Sequence, residues 1–232
     1  MGKALTVHQF VADFKTVEEQ RVVAFLGRPT AKIHLKAEKF WAATEVYLAR
    51  CAQDPKRDLL KCNRDSLKDA FLKCASDGLV PDGQHAAIVP FWESATKTLV
   101  AQYVPMVKGI IKRARELGEV WGMDCEAVFE KDDFFIDLGD PSAPPRHVPP
   151  KKGKRGDVVG AWAVFRDRNR LVIHREYMDR EQIDKARNFS KAKNSPAWND
   201  WFSEMARKTV IRRGAKYVPC GDEMSLIVNR DD

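Results

Sequence analysis

Between Lys185 and Lys216, nine lysines and arginines stand against two acidic residues, an excess of +7 that equals the formal net charge of the whole 232-residue chain. The rest of the sequence is therefore balanced, and a polyanion would find its counterpart here. Within this stretch aromatic residues mix with fixed cations: Trp198, Trp201 and Phe202 precede Arg207, Lys208, Arg212, Arg213 and Lys216. Cations neutralise phosphates and aromatic faces stack on bases. A nucleic acid, and particularly a single strand, is the partner that uses both kinds of group.

Trp201, Met205, Lys208, Arg212 and Lys216 recur at helical spacing, so they share one face that changes from apolar to cationic along its length. Lys208, Arg212 and Lys216 are expected to follow phosphates as a groove wall, with Arg213 beside them. The aromatics Trp198, Trp201 and Phe202, with Met205, are expected in the core. Just upstream, Arg187, Ser190, Lys191, Lys193 and Asn194 supply guanidinium, hydroxyl, ammonium and amide donors. That segment fits a phosphate-binding loop and an ordinary inter-helix connection equally well. Lys108-Gly109 at a helix start, with Lys112 one turn on, is a weaker anion signal: glycine permits close backbone approach and the first helical N–H groups are unpaired.

Other chemistries find less support. Glu130, Asp132, Asp133, Asp137 and Asp140 can be imagined as a metal cluster for phosphodiester hydrolysis, and a metal-dependent nuclease using Asp132, Asp133 and Asp137 is the alternative reading. Most of these residues fit turns or the solvent face of a strand better. The five histidines are scattered, without metal or triad spacing, and the chain lacks a Walker motif. A sequence-specific duplex regulator would call for a compact helix-turn-helix, which the pattern does not offer. Five cysteines without a C-x-x-C pair point to free thiols in a reducing compartment, with Cys62 and Cys74 as small buried groups. No apolar run approaches the ~20 residues that span a bilayer. The expectation is a soluble, cytoplasmic protein without membrane association.

The elements that must position these residues follow from periodicity. Phe10 to Leu26 and Phe40 to Leu48 read as amphipathic helices, and a third starts near Asp65-Ser66 and stops at Asp77-Gly78. Pro81-Asp82-Gly83 is turn chemistry. β-type runs Ala86 to Trp92 and Thr98 to Val104 follow, joined by a loop at Glu93 to Lys97. Met106 to Leu117 is helical, and a meander runs through Cys125–Phe129, Asp133–Leu138, Val158–Phe165 and Leu171–Tyr177. Gly139 to Gly156, with five prolines, is expected to be a long mobile loop. Asp179 caps a helix through Phe189, and Pro196 opens the last long helix. Strand pairs segregated from helices make this an α+β protein, with a small antiparallel sheet and a β-hairpin packed on helices. A helical lobe over 1–60, a core over 61–220 and a short tail over 221–232 are the expected divisions.

Several of these residues carry a family resemblance. Leu79-Val-Pro-Asp-Gly83, Ala87-Ile-Val-Pro-Phe91, Val128-Phe-Glu-Lys-Asp132-Asp-Phe134, Val159-Gly-Ala-Trp-Ala163 and, most specifically, Met205-Ala-Arg-Lys-Thr-Val-Ile-Arg-Arg213 with upstream Pro196-Ala-Trp198 resemble the RecT family of phage and prophage single-strand DNA-annealing proteins. The match runs from about Leu60 to Pro219. It departs at Met106-Val107-Lys108-Gly109, where relatives commonly carry Gly-Tyr-x-Gly. The resemblance implies ATP-independent annealing of complementary strands, with no cofactor and magnesium only as a counterion. It further implies a homo-oligomer forming rings or filaments on single-stranded DNA and on annealed duplex. An exonuclease and the host single-strand-binding protein are the implied partners. Lys208, Arg212, Lys216 and Ser190-Lys191 all fall within the matching segments. Residues 1–60 are expected to supply subunit contacts.

Overall fold

The computed structural model describes residues 6–26, 31–117, 120–140, 142–190, 193–194, 196–218 and 227. The chain divides into two compact units, with the boundary after Arg113.

In the first unit, helix α1 (Val7–Phe25) opens with a reciprocal cap: the Gln9 amide donates to Thr6 Oγ1 and the Thr6 amide to Gln9 Oε1. Helix α2 (Ala31–Ala52) packs beside it. Phe14 meets Trp41 edge-on at 5.2 Å and Phe71 at 6.1 Å, so one aromatic cluster joins α1, α2 and α3 (Arg64–Ser76). The cap of α3 lies slightly upstream of the expected Asp65-Ser66: Asn63 Oδ1 accepts from both of those amides. Beyond the C-cap Asp77 the chain turns at Gly78, whose φ of 67° suits glycine. Strands β1 (Ala86–Glu93) and β2 (Thr98–Pro105) form the expected antiparallel hairpin, from Ala86 opposite Pro105 to Glu93 opposite Thr98. Two side chains fix it to the helices. The Tyr47 hydroxyl both donates to the Ile88 carbonyl and accepts from the Ile88 amide, and Ser66 Oγ accepts from the Ala101 amide. Cys62 and Cys74 are buried in this core, and burial pushes both thiols up, Cys62 to about 11.

Helix α4 (Val107–Leu117) begins where the Met106 amide donates to the His85 carbonyl. A side chain at Gly109 would collide with that same carbonyl. Its glycine is thus explained by close packing on the start of the hairpin.

The second unit is built on a three-stranded antiparallel sheet in the order β3 (Gly122–Phe129), β6 (Val158–Arg166), β7 (Val172–Asp179). Register sorts its side chains by face. Cys125, Ala163 and Glu176 are cross-strand neighbours on one face, and Glu126, Trp162 and Tyr177 on the other. The first face carries α7 (Phe202–Ala215), which buries Ala206, Val210, Ile211, Gly214 and Ala215. Gly214 allows the close approach, since a β-carbon there would lie 2.6 Å from Phe165 Cε2 and 3.0 Å from Glu176 Cβ. The second face carries a two-stranded ribbon of β4 (Asp133–Phe135) and β5 (Arg146–Val148), through Phe134 stacked on Tyr177 at 5.3 Å and His147 bonded to Trp162. The stretch expected as a long loop therefore contains a strand, held by these cross-sheet contacts. Helices α5 (Arg180–Phe189) and α6 (Pro196–Asp200) lead from β7 to α7, with Asp179 Oδ1 accepting from the Gln182 amide as the expected cap.

Candidate nucleic-acid interface

Helix α7 presents two unlike sides. Its small and branched residues meet the sheet, and the stripe of Met205, Lys208, Arg212 and Lys216 lies on the side away from it. Lys216, at the helix end, is exposed; Lys208 and Arg212 are half-buried. Arg213 stands off this stripe and pairs with Glu176 Oε1 at 3.1 Å, so it anchors α7 to β7 while keeping a half-exposed guanidinium. The Arg180 guanidinium lies 4.2 Å from the centre of the Phe202 ring and fixes the start of α7 to α5.

The last helix is not continuous from Pro196. It is interrupted at Trp201, whose φ of −127° and ψ of 42° are non-helical. The interruption separates the aromatics expected together in the core. Trp198 is buried at 3% exposure and packs on a half-buried Phe202, Met205 is half-buried, and Trp201 is 65% exposed.

The segment between α5 and α6 is organised by Arg187. Its Nε–H donates to the Lys193 carbonyl at 2.9 Å, a terminal N–H donates to Asn199 Oδ1 at 2.6 Å, and Asn199 in turn donates to the Asn194 carbonyl. Arg187 is therefore the clamp of this connection, and Lys193 and Asn194 offer exposed side chains on it. Ser190 ends α5, its amide donating to the Arg187 carbonyl. Lys191 lies outside the described residues. Lys108, exposed with its ammonium 3.5 Å from Gln84 Oε1, and half-buried Lys112 belong to the first unit, and the other described candidates belong to the second.

The acidic residues have structural partners. The Asp132 carboxylate is wholly buried and receives the Phe129 amide, His147 Nε2 at 2.8 Å and two N–H groups of Arg155 at 2.9 and 2.6 Å. Trp162 Nε1–H, which can only donate, points to His147 Nδ1 at 3.0 Å, so the imidazole carries its proton on Nε2 and gives it to Asp132. Burial alone would raise the Asp132 carboxyl, but the Arg155, His147 and Phe129 donors hold it well below the usual carboxylate range. Asp133 pairs with Arg146 at 2.8 Å, and Asp137 Oδ1 accepts from the Gly139 amide at 2.8 Å. Among the described residues, no three His, Cys, Asp or Glu side chains gather as a metal site would require, and no helix is long and apolar enough to cross a membrane.

Fold and site together define an α+β protein that presents a cationic helix on a small antiparallel sheet. Comparison with known proteins gives the family. The RecT family model matches residues 46–232, a longer span than the motifs alone mark out. The chain is 30% identical over 224 residues to Protein RecT of Escherichia coli (strain K12), covering 93% of this chain and 82% of that protein. The chain belongs to the RecT family, whose members bind DNA and anneal strands in recombination.

Proposed function

We propose that this protein binds single-stranded DNA and anneals complementary strands without ATP, as a homo-oligomer and without catalysing a covalent step. The observation that carries this reading is the α7 stripe: Lys208, Arg212 and Lys216 stand on a helix whose opposite side is locked to the sheet by Gly214, Val210 and Ile211. A strand held there by its phosphates leaves the pairing edges of its bases open to a second strand. Pairing then supplies specificity, and the protein supplies alignment and charge neutralisation. Stacking in the product, roughly 1.4 kcal/mol per step, drives the reaction downhill without nucleotide hydrolysis.

Arg187, Ser190, Lys191, Lys193 and Asn194 form a second contact with the backbone, in which Arg187 holds the loop and Lys193 and Asn194 reach the strand. Arg213 adds charge beside the stripe. Lys108 and Lys112 contribute from the first unit, and residues 1–60 supply subunit contacts. Magnesium acts as a counterion only. An exonuclease that exposes single strands and the host single-strand-binding protein are the proposed partners, in the bacterial cytoplasm.

The test mixes two complementary, fluorescently labelled oligonucleotides with the protein in the absence of nucleotide triphosphate. Pairing faster than in a protein-free control, with both strands at full length, supports annealing. Tight binding without acceleration would leave a passive binder. Magnesium-dependent shortening would return the acidic residues to consideration.

A further inference from the structure

Phe189 and Trp201 are large aromatic residues that the fold leaves in water. Phe189, the last residue of α5, is 91% exposed, and Trp201, between α6 and α7, is 65% exposed. Trp201 occupies the N-cap of α7, where a side-chain oxygen would satisfy an early helical N–H. An indole has no such oxygen, and no side-chain cap bond forms. The fold thus gives up a cap at this position and gains no burial in return. Its need for an aromatic in this segment is met by Trp198, three residues earlier.

Their surroundings decide what these rings are for. Each lies two residues beyond one partner of the Arg187–Asn199 hydrogen bond, so the chain segments that carry them are tied together. Exposed Lys193 and Asn194 lie between them in the chain. Trp201 also directly precedes α7, its carbonyl accepting from the Met205 amide, and the helix then carries Met205, Lys208, Arg212 and Lys216 along one side. An apolar protein partner would have no use for that row of cations. A nucleotide joins a flat π-face to a phosphate, and it fits both.

We propose that Trp201, assisted by Phe189, is a base-stacking platform of the single-strand site. An unpaired base lies on the Trp201 indole, and neighbouring phosphates reach Lys208, on the order of 10 Å along the helix, and Arg212 beyond it. Because both faces of a base are covered within a duplex, this platform favours the single strand and releases the base once it has paired. The proposal rests on the single-strand reading above and assigns to it residues that contact bases.

The experiment measures fluorescence anisotropy of a labelled oligothymidylate and of an abasic strand of equal length, against wild type, Trp201→Ala, Trp201→Phe and Phe189→Ala. Wild type should bind the abasic strand about tenfold more weakly, as expected for removal of a stacked base. Trp201→Ala should bind oligothymidylate about tenfold more weakly than wild type and lose little more when the bases are removed. Trp201→Phe should recover part of that deficit, and Phe189→Ala should show a smaller one. Wild type that ignores the missing bases, or Trp201→Ala that binds oligothymidylate normally, would overturn the proposal while leaving the phosphate contacts standing. So would a change in sedimentation on Trp201→Ala with base dependence intact, which would make the ring a subunit contact. Wild type that binds neither strand would overturn the single-strand reading itself.

Discussion

The two faces of the β3–β6–β7 sheet use charge in opposite ways. On one, the Asp132 carboxylate is wholly buried and receives donors from Arg155, His147 and the Phe129 amide, with Trp162 fixing the histidine tautomer. On the other, α7 packs through its small residues and turns Lys208, Arg212 and Lys216 away from the sheet. Residue type does not separate the two groups, since arginine serves in both. What separates them is desolvation: the wholly buried Asp132 carboxylate must be saturated by the protein, whereas Lys216 is exposed and Lys208 and Arg212 are half-buried. The first group is architecture, and the second is the interface proposed above.

That contrast breaks most visibly at Asp132. Replacing it with alanine leaves Arg155 and His147 without their acceptor and should cost about 3–5 kcal/mol, read from chemical denaturation. The same group sets an acid limit. Its folded-state carboxyl lies below the unfolded value, so the stability it adds is complete above about pH 4 and is lost as pH falls through the folded value. Thermal melts of wild type should lose stability in that acid range, whereas Asp132→Asn should be weaker at neutral pH and flatter below it. A melting profile of Asp132→Asn that matched wild type throughout would remove the network from the architecture.

A smaller effect is expected where the interface is seated. Gly214→Ala drives a methyl group against Phe165 and Glu176, and overpacking there should cost about 1–3 kcal/mol. Because the displaced helix carries the cation stripe, single-strand affinity should fall with stability. Normal affinity in a destabilised Gly214→Ala protein would separate the seat of α7 from its function.

Much of the framework is legible in the sequence because it is local. The Asp179 cap, the 86–105 hairpin and the helix of cations each announce themselves within a few residues of chain. β5 does not, since three residues, Arg146 to Val148, are too short for periodicity, and their pairing depends on Phe134 and His147 meeting β6 and β7. The Asp132 network joins residues up to 33 positions apart, from 129 to 162, and is invisible to any local pattern. Trp201 escapes for a different reason. Its spacing fits an unbroken helix from Pro196, but α7 begins after it, and the indole is left in solvent rather than in the core.

The most direct test of the central claim is a salt titration of oligothymidylate binding by wild type and by a Lys208→Ala/Arg212→Ala protein. The double variant, shown by its melt to be folded at the assay temperature, should bind more weakly at low salt. Its slope of log affinity against log salt should be shallower by roughly 0.7 for each phosphate that is no longer neutralised. An unchanged affinity and slope in a folded double variant would contradict the account and remove α7 from the DNA-binding surface.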